Sequence, residues 1–213
     1  MTQSNFDSLI FDMDGTLWDA VDSYCAVWNR TIVDLGTDRA TVCYSELAVL
    51  MGKPLDEIFM TLIGDVSIKD EFICRLLHNE RTMMPELGGS LYPGTKETIE
   101  ALSRFFRLFM VSNCGVDGLP NFLRFTGLEP YFTDTLSFGQ NGKEKDANIR
   151  EIVKRYNLKA PLYIGDVARD CSDAHRAGVP FAWAAYGFGK NVNDADYVLT
   201  SIEDLPSICL KRN

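Results

Sequence analysis

A doubly wound parallel α/β sheet with an inserted α-helical domain is the fold class this sequence predicts, and three observations predict it. Runs of successive apolar residues recur along the 213-residue chain and end in polar or acidic residues. Helical patterns separate the later runs, and one long interval between the first run and the next is helical in period throughout. A short run that is apolar on both faces suits a strand covered on both sides, as in parallel sheets, and strands alternating with helices build a doubly wound sheet.

In chain order, the first strand is SLIFDMD at 8–14. The interval after it holds DSYCAVWNRTIVDLG (22–36), PLDEIFMTLIG (54–64) and KDEFICRLLHNERTMM (69–84), whose apolar residues recur at helical spacing. It closes at the loop ELGGSLYPG (86–94), so the expected division is an α/β core over 1–18 and 89–213 and a helical cap over 19–88. The core resumes with a helical TKETIEALSRF (95–105), the strand run FRLFMVSN (106–113) and a helical DANIREIVKRY (146–156). The strand runs PLYIGD (161–166) and PFAWAAYG (180–187) follow.

A net charge of -9 and the lack of any Lys/Arg-rich run exclude a nucleic-acid surface, so an anionic ligand must be caught by a local site. The six cysteines form no CxxC pair and no Cys/His cluster, which reads as reduced thiols and not as a zinc frame. No basic segment precedes an apolar stretch near Met1, and Asp12 cuts the first apolar run. Neither a secretion signal nor a membrane span is expected, and the cytoplasm is the expected compartment.

Ligands of open parallel sheets bind at the carboxyl ends of the strands. That rule gathers Asp12 and Asp14, Ser112 and Asn113, and Asp166 at one sheet edge, with Lys145 at the start of a helix and Asp170 four residues past Asp166 placed to join them. Four aspartates in one pocket would raise one another's pKa severely without a cation. A hard divalent ion with oxygen ligands is the remedy, and Mg2+ suits it best, since it is held by one or two carboxylates and completes its shell with water and phosphate.

With FDMDGTL, VSN, Lys145 in GKEKDANI, and GDVARD in that order, the chain resembles the haloacid dehalogenase-like hydrolase superfamily, in its phosphoglycolate-phosphatase-like group with a helical cap. The resemblance spans essentially the whole chain. It implies a magnesium-dependent phosphatase acting on a small phosphorylated metabolite, with Asp12 as the nucleophile that becomes an aspartyl-phosphate. Asp14 is implied as general acid-base and, through its backbone carbonyl, as a metal ligand. Asp12 and Asp166 are implied as direct carboxylate ligands, with Asp170 on metal-held water or orienting Lys145. Ser112, Asn113 and Lys145 are implied at the phosphoryl oxygens, and Gly15 and Thr16 turn the chain so that backbone N–H groups face the phosphate.

Lys143 competes for the role of Lys145, but Lys145 directly precedes the helix, which leaves Lys143 as a solvated loop charge. With only His78 and His175 present, a histidine-based phosphatase or a Ser-His-Asp hydrolase has little to work with. Asp14 argues against dehalogenation. A phosphomutase of the β-phosphoglucomutase type shares this machinery, although the Lys-Pro third motif common in those mutases is missing. A non-catalytic phosphate-binding protein on the same fold would be expected to have lost core residues, and none is lost. In the cap, Gly52 and Lys53 of MGKPLDE are the candidates for substrate selectivity.

Overall fold

The computed structural model describes residues 4–210. Strand β1, Ser8–Phe11, is buried at all four positions, as its uninterrupted apolar sequence requires. Full burial of Leu9, Ile10 and Phe11 contributes about 1.5–3 kcal/mol each. Trp18–Asp19 forms a short strand β2, and the chain then enters helices α1 (Val21–Leu35), α2 (Tyr44–Ala48), α3 (Leu55–Leu62) and α4 (Lys69–Leu87). It returns through β3 (Ser90–Leu91) and α5 (Thr95–Ser103) to strand β4 (Arg107–Ser112). Next come α6 (Gly118–Thr126), β5 (Phe132–Ser137), α7 (Phe138–Asn141), α8 (Lys145–Arg155) and β6 (Pro161–Gly165). The described chain closes with α9 (Ala168–Arg176), β7 (Phe181–Ala184), β8 (Tyr197–Leu199) and α10 (Leu205–Cys209).

Six strands form one parallel sheet in the order β5-β4-β1-β6-β7-β8. The chain builds outward from β1 to β4 and β5, then crosses to the other side of β1 for β6. The strand order therefore reverses beside β1, where open α/β sheets bind ligands. Side chains alternate across the sheet: Ile10, Phe109, Val111 and Tyr163 pack with Ile149 and Ile152 of α8, while Leu9, Phe11 and Met110 pack with Ile99 of α5 and Leu119 of α6.

Two core strands were not expected from sequence. β5 is half-exposed along much of its length and β8 has one buried residue in three. Both lie at the edges of the sheet, where burial is incomplete and a continuous apolar run is not needed. The helical interval is helical as expected, and its aromatic centre joins Trp28, Phe59 and Phe72 with ring centroids 5.4 and 5.3 Å apart. Asn79 of α4 donates to Thr31 Oγ1 and Asp34 Oδ2 of α1 at 3.0 and 3.1 Å, tying the two long helices together.

The chain enters and leaves this interval through an antiparallel ribbon that pairs Trp18 with Leu91 and Asp19 with Ser90. Gly88 just before it has φ +58°, and a Cβ there would lie 2.1 Å from Phe125, so only glycine fits. All six cysteines are free thiols. No helix among the described residues is long and apolar enough to cross a membrane.

Candidate active site

The site forms where β1, β4 and β6 end together. Phe11 pairs with Met110 on one side and Ile164 on the other, so Asp12, Ser112 and Asp166 emerge from neighbouring strands at the same edge. Asp12 N–H still donates to Ile164 O at 2.8 Å. The chain then turns sharply, with Gly15 at φ +78°, and a Cβ on Gly15 would sit 2.1 Å from Asp166 Oδ2.

Carboxylate oxygens of Asp12, Asp166 and Asp170 all lie within 4.8 Å of one another, and all three residues are buried. Lys145, only 1% exposed, places its Nζ 2.5 Å from Asp170 Oδ1 and 3.1 Å from Asp12 Oδ1. A buried ammonium requires such partners. Burial by itself would lower the Lys145 pKa, but Asp12 and Asp170 hold it well above its usual value. The other oxygen of Asp170 accepts the N–H groups of Asp166 and Val167, both at 3.1 Å, at the start of α9. Both oxygens of Asp170 are thus engaged, which suits it to orienting Lys145.

Asp166 Oδ2 accepts the N–H of Phe188 at 2.8 Å and, more weakly, that of Gly189 at 3.4 Å. These amides come from the loop after β7, which packs so closely that a Cβ on Gly189 would lie 2.1 Å from Asp166 O. Sequence reading missed this support, whose trace is the pair of glycines in YGFGK. Asp12 Oδ1 differs from the rest: it is buried and has no hydrogen bond, its one partner being the Lys145 ammonium in an ion pair at 3.1 Å. An orphaned carboxylate oxygen beside two further buried aspartates fits a bound divalent cation, with oxygens of Asp12 and Asp166 able to hold it.

The two aspartates of the first motif occupy different environments. Burial, partly offset by Lys145, pushes Asp12 up to about 6. Burial and the neighbouring Asp12 charge push Asp14 up to about 8. Asp14 turns away from the three clustered carboxylates: Trp18 Nε1 donates to its Oδ1 at 2.9 Å, and the Tyr24 hydroxyl lies 3.5 Å from its Oδ2.

A cavity of about 760 Å³ opens over this edge, with Asp12, Asp14, Ser112, Asn113 and Lys145 on the sheet side and residues of the four inserted helices opposite. Gly52 and Lys53 also line it. A Cβ on Gly52 would touch Val167 Cγ2 at 3.0 Å, so that loop rests directly on the residue that opens α9. Gly15 and Thr16 are not among the lining residues. Their N–H groups donate to Trp18 O and Met13 O within the turn, so the structure places those amides in turn closure and not toward a phosphate. Lys143 pairs with Glu151 at 2.6 Å on the surface, away from the buried position of Lys145. Tyr24, Trp28 and Glu80 line the cavity without having been anticipated.

Comparison with known proteins agrees with this geometry. The family described as haloacid dehalogenase-like hydrolase matches residues 9–184. The chain is 27% identical over 230 residues to a phosphoglycolate phosphatase of Vibrio parahaemolyticus, covering 96% of each chain. It is 25% identical to the phosphoglycolate phosphatase of Aquifex aeolicus, covering 92% of this chain and 93% of that one. A crystal structure of a predicted phosphoglycolate phosphatase from Haemophilus somnus 129PT shares the fold with a TM-score of 0.85 at 21% identity, over 97% of this chain and 99% of that one. The family match over most of the chain, together with these relatives, establishes that the protein belongs to the haloacid dehalogenase-like hydrolase family and is a phosphatase of that family.

Proposed function

We propose that the protein hydrolyses a small soluble phosphomonoester in the cytoplasm, with magnesium, through an aspartyl-phosphate on Asp12. The observation that carries this reading is the buried, unbonded Asp12 Oδ1 beside Lys145. The spread of the two aspartates, about 6 for Asp12 and about 8 for Asp14, fits a nucleophile that is ionised at neutral pH next to an acid that keeps its proton.

In the first step an oxygen of Asp12 attacks phosphorus, the ester P–O bond breaks, and Asp14 gives its proton to the departing alkoxide. In the second step water attacks the same phosphorus, its proton passes to Asp14, and the Asp12–phosphorus bond breaks to release phosphate. Lys145 and Ser112 neutralise and hydrogen-bond the transferring oxygens, and Asn113 borders them. Magnesium, held by Asp12 and Asp166 and the backbone carbonyl of Asp14, would supply positive charge against the phosphate dianion. Residues 19–88 act as a cap over a core formed by 1–18 and 89–213, and the cap's lining side chains, with Gly52 and Lys53, set selectivity.

Release of inorganic phosphate from p-nitrophenyl phosphate and 2-phosphoglycolate, with magnesium or with chelator, tests the reading. Turnover is expected only with magnesium, and Asp12→Asn should reduce it at least 1,000-fold while far-UV circular dichroism stays unchanged. Full turnover in chelator, or normal rates in the variant, would overturn it.

A further inference from the structure

Glu80 lies on α4 and lines the cavity over the catalytic edge. It reaches the loop that follows β4, where a Cβ on Gly115 would lie 3.9 Å from Glu80 Oε1. Among the described residues no side chain bonds to it. Its neighbour Arg81 turns instead to Asp117, with Nε 2.7 Å from Oδ2. Arg169, also on the wall, pairs with Glu144 at 2.8 Å, and Lys145 is committed to Asp12 and Asp170. Lys53, on the far loop, is exposed, where solvent screens it.

Much of the cavity wall is apolar, with Trp28, Met51, Ile58, Ile73 and Leu77, while the Arg81–Asp117 pair lies beside Glu80. The volume of about 760 Å³ lies within the range of about 300–1,000 Å³ that suits ligands much larger than a two-carbon acid. Glu80 is half-buried, and a carboxylate that no protein side chain pairs is open to a ligand's hydrogen-bond donor. It also repels a second carboxylate.

We propose that Glu80 is a specificity residue that selects phosphomonoesters whose leaving group bears a hydrogen-bond donor, a hydroxyl or an ammonium, on an apolar body, and disfavours those that bear a carboxylate. The proposal rests on the phosphomonoester reading of the site. Burial, with the Asp117 charge, pushes Glu80 up to about 7, in keeping with a carboxylate that lacks a counter-charge until a ligand brings one. The donor class stands apart from the acid named for the relatives, which carries a carboxylate where this wall carries one of its own.

A matched set of non-hydrolysable benzyl phosphonates bearing aminomethyl, hydroxymethyl or carboxylate at the para position tests this by calorimetry on the full chain with magnesium. The wild type should bind the aminomethyl or hydroxymethyl member at least tenfold more tightly than the carboxylate member, and whichever leads identifies the donor. Glu80→Gln, nearly isosteric, should lower the aminomethyl-to-carboxylate affinity ratio at least tenfold, and Glu80→Lys should invert it. Equal affinities across the set in the wild type, or the same ratio in wild type and Glu80→Gln, would overturn the proposal. The corresponding benzyl phosphates are assayed in parallel. Phosphonate selectivity without turnover of any ester would sink the hydrolase reading alone and leave the role of Glu80 standing.

Discussion

Asp12 and Asp14 are two residues apart and differ in what surrounds them: one faces an ammonium and two carboxylates, the other an indole N–H and a phenol. In the proposed reaction that difference gives them different work, which leads to a kinetic prediction. An aryl phosphate leaves well without a proton, whereas an alkyl phosphate does not. In Asp14→Asn, p-nitrophenyl phosphate should still phosphorylate Asp12, and the aspartyl-phosphate should hydrolyse slowly for want of a base. Rapid mixing should show a nitrophenolate burst approaching one equivalent per enzyme, with none from alkyl phosphates. If aryl and alkyl esters slow equally and no phosphoenzyme builds up, Asp14 is not the acid-base.

Among the elements, the ribbon of β2 and β3 decides how the inserted helices meet the sheet. Its two residue pairs are the antiparallel link between the entering and leaving segments, and Trp18 within it packs on Phe122 of α6 with centroids 5.0 Å apart. The apolar cluster runs on without a break from Phe11 and Met13 through Leu17 and Trp18 to Val21 and Trp28. The ribbon is thus a packed joint, and any closing of the helices over the sheet must work through it. Hydrogen exchange at 17–20 and 88–93 should slow when beryllium fluoride and magnesium bind. Unchanged exchange there would mean that the helices are a fixed part of the core.

At the scale of the whole molecule, the concentration of buried acid has a thermodynamic consequence. Asp12 at about 6, Glu80 at about 7 and Asp14 at about 8 all lie above the ordinary carboxylate range, and Asp166 lies well above it as well. Without metal the folded protein therefore holds protons that the unfolded chain releases near pH 4. Stability from these groups is fully present below about pH 4 and is lost as pH rises through about 6 to 8. Chelated protein should melt at a lower temperature at pH 8 than at pH 5.5, and magnesium should flatten the slope by favouring the ionised carboxylates of Asp12 and Asp166. A melting temperature independent of pH over that window in chelator would show that the buried acids are balanced without a cation.

The sequence by itself determined the central strands, because β1, β4, β6 and β7 are covered on both faces and burial on both faces writes an unbroken apolar run. It determined which residues reach the carboxyl edge of the sheet, because parallel strands deliver their ends to one side, and it distinguished the position of Lys145 from that of Lys143 by its place at the start of α8. Tertiary structure alone decided the rest. The edge strands β5 and β8 and the ribbon are too exposed or too short to leave a pattern. The support of Asp166 comes from backbone N–H groups of Phe188 and Gly189, which any residue possesses and no side chain announces. The amides of Gly15 and Thr16 bond to Trp18 O and Met13 O within the turn, partners that only the folded turn supplies. Glu80 lines the cavity only because α4 packs on α1, a placement fixed by contacts among residues far apart in the chain.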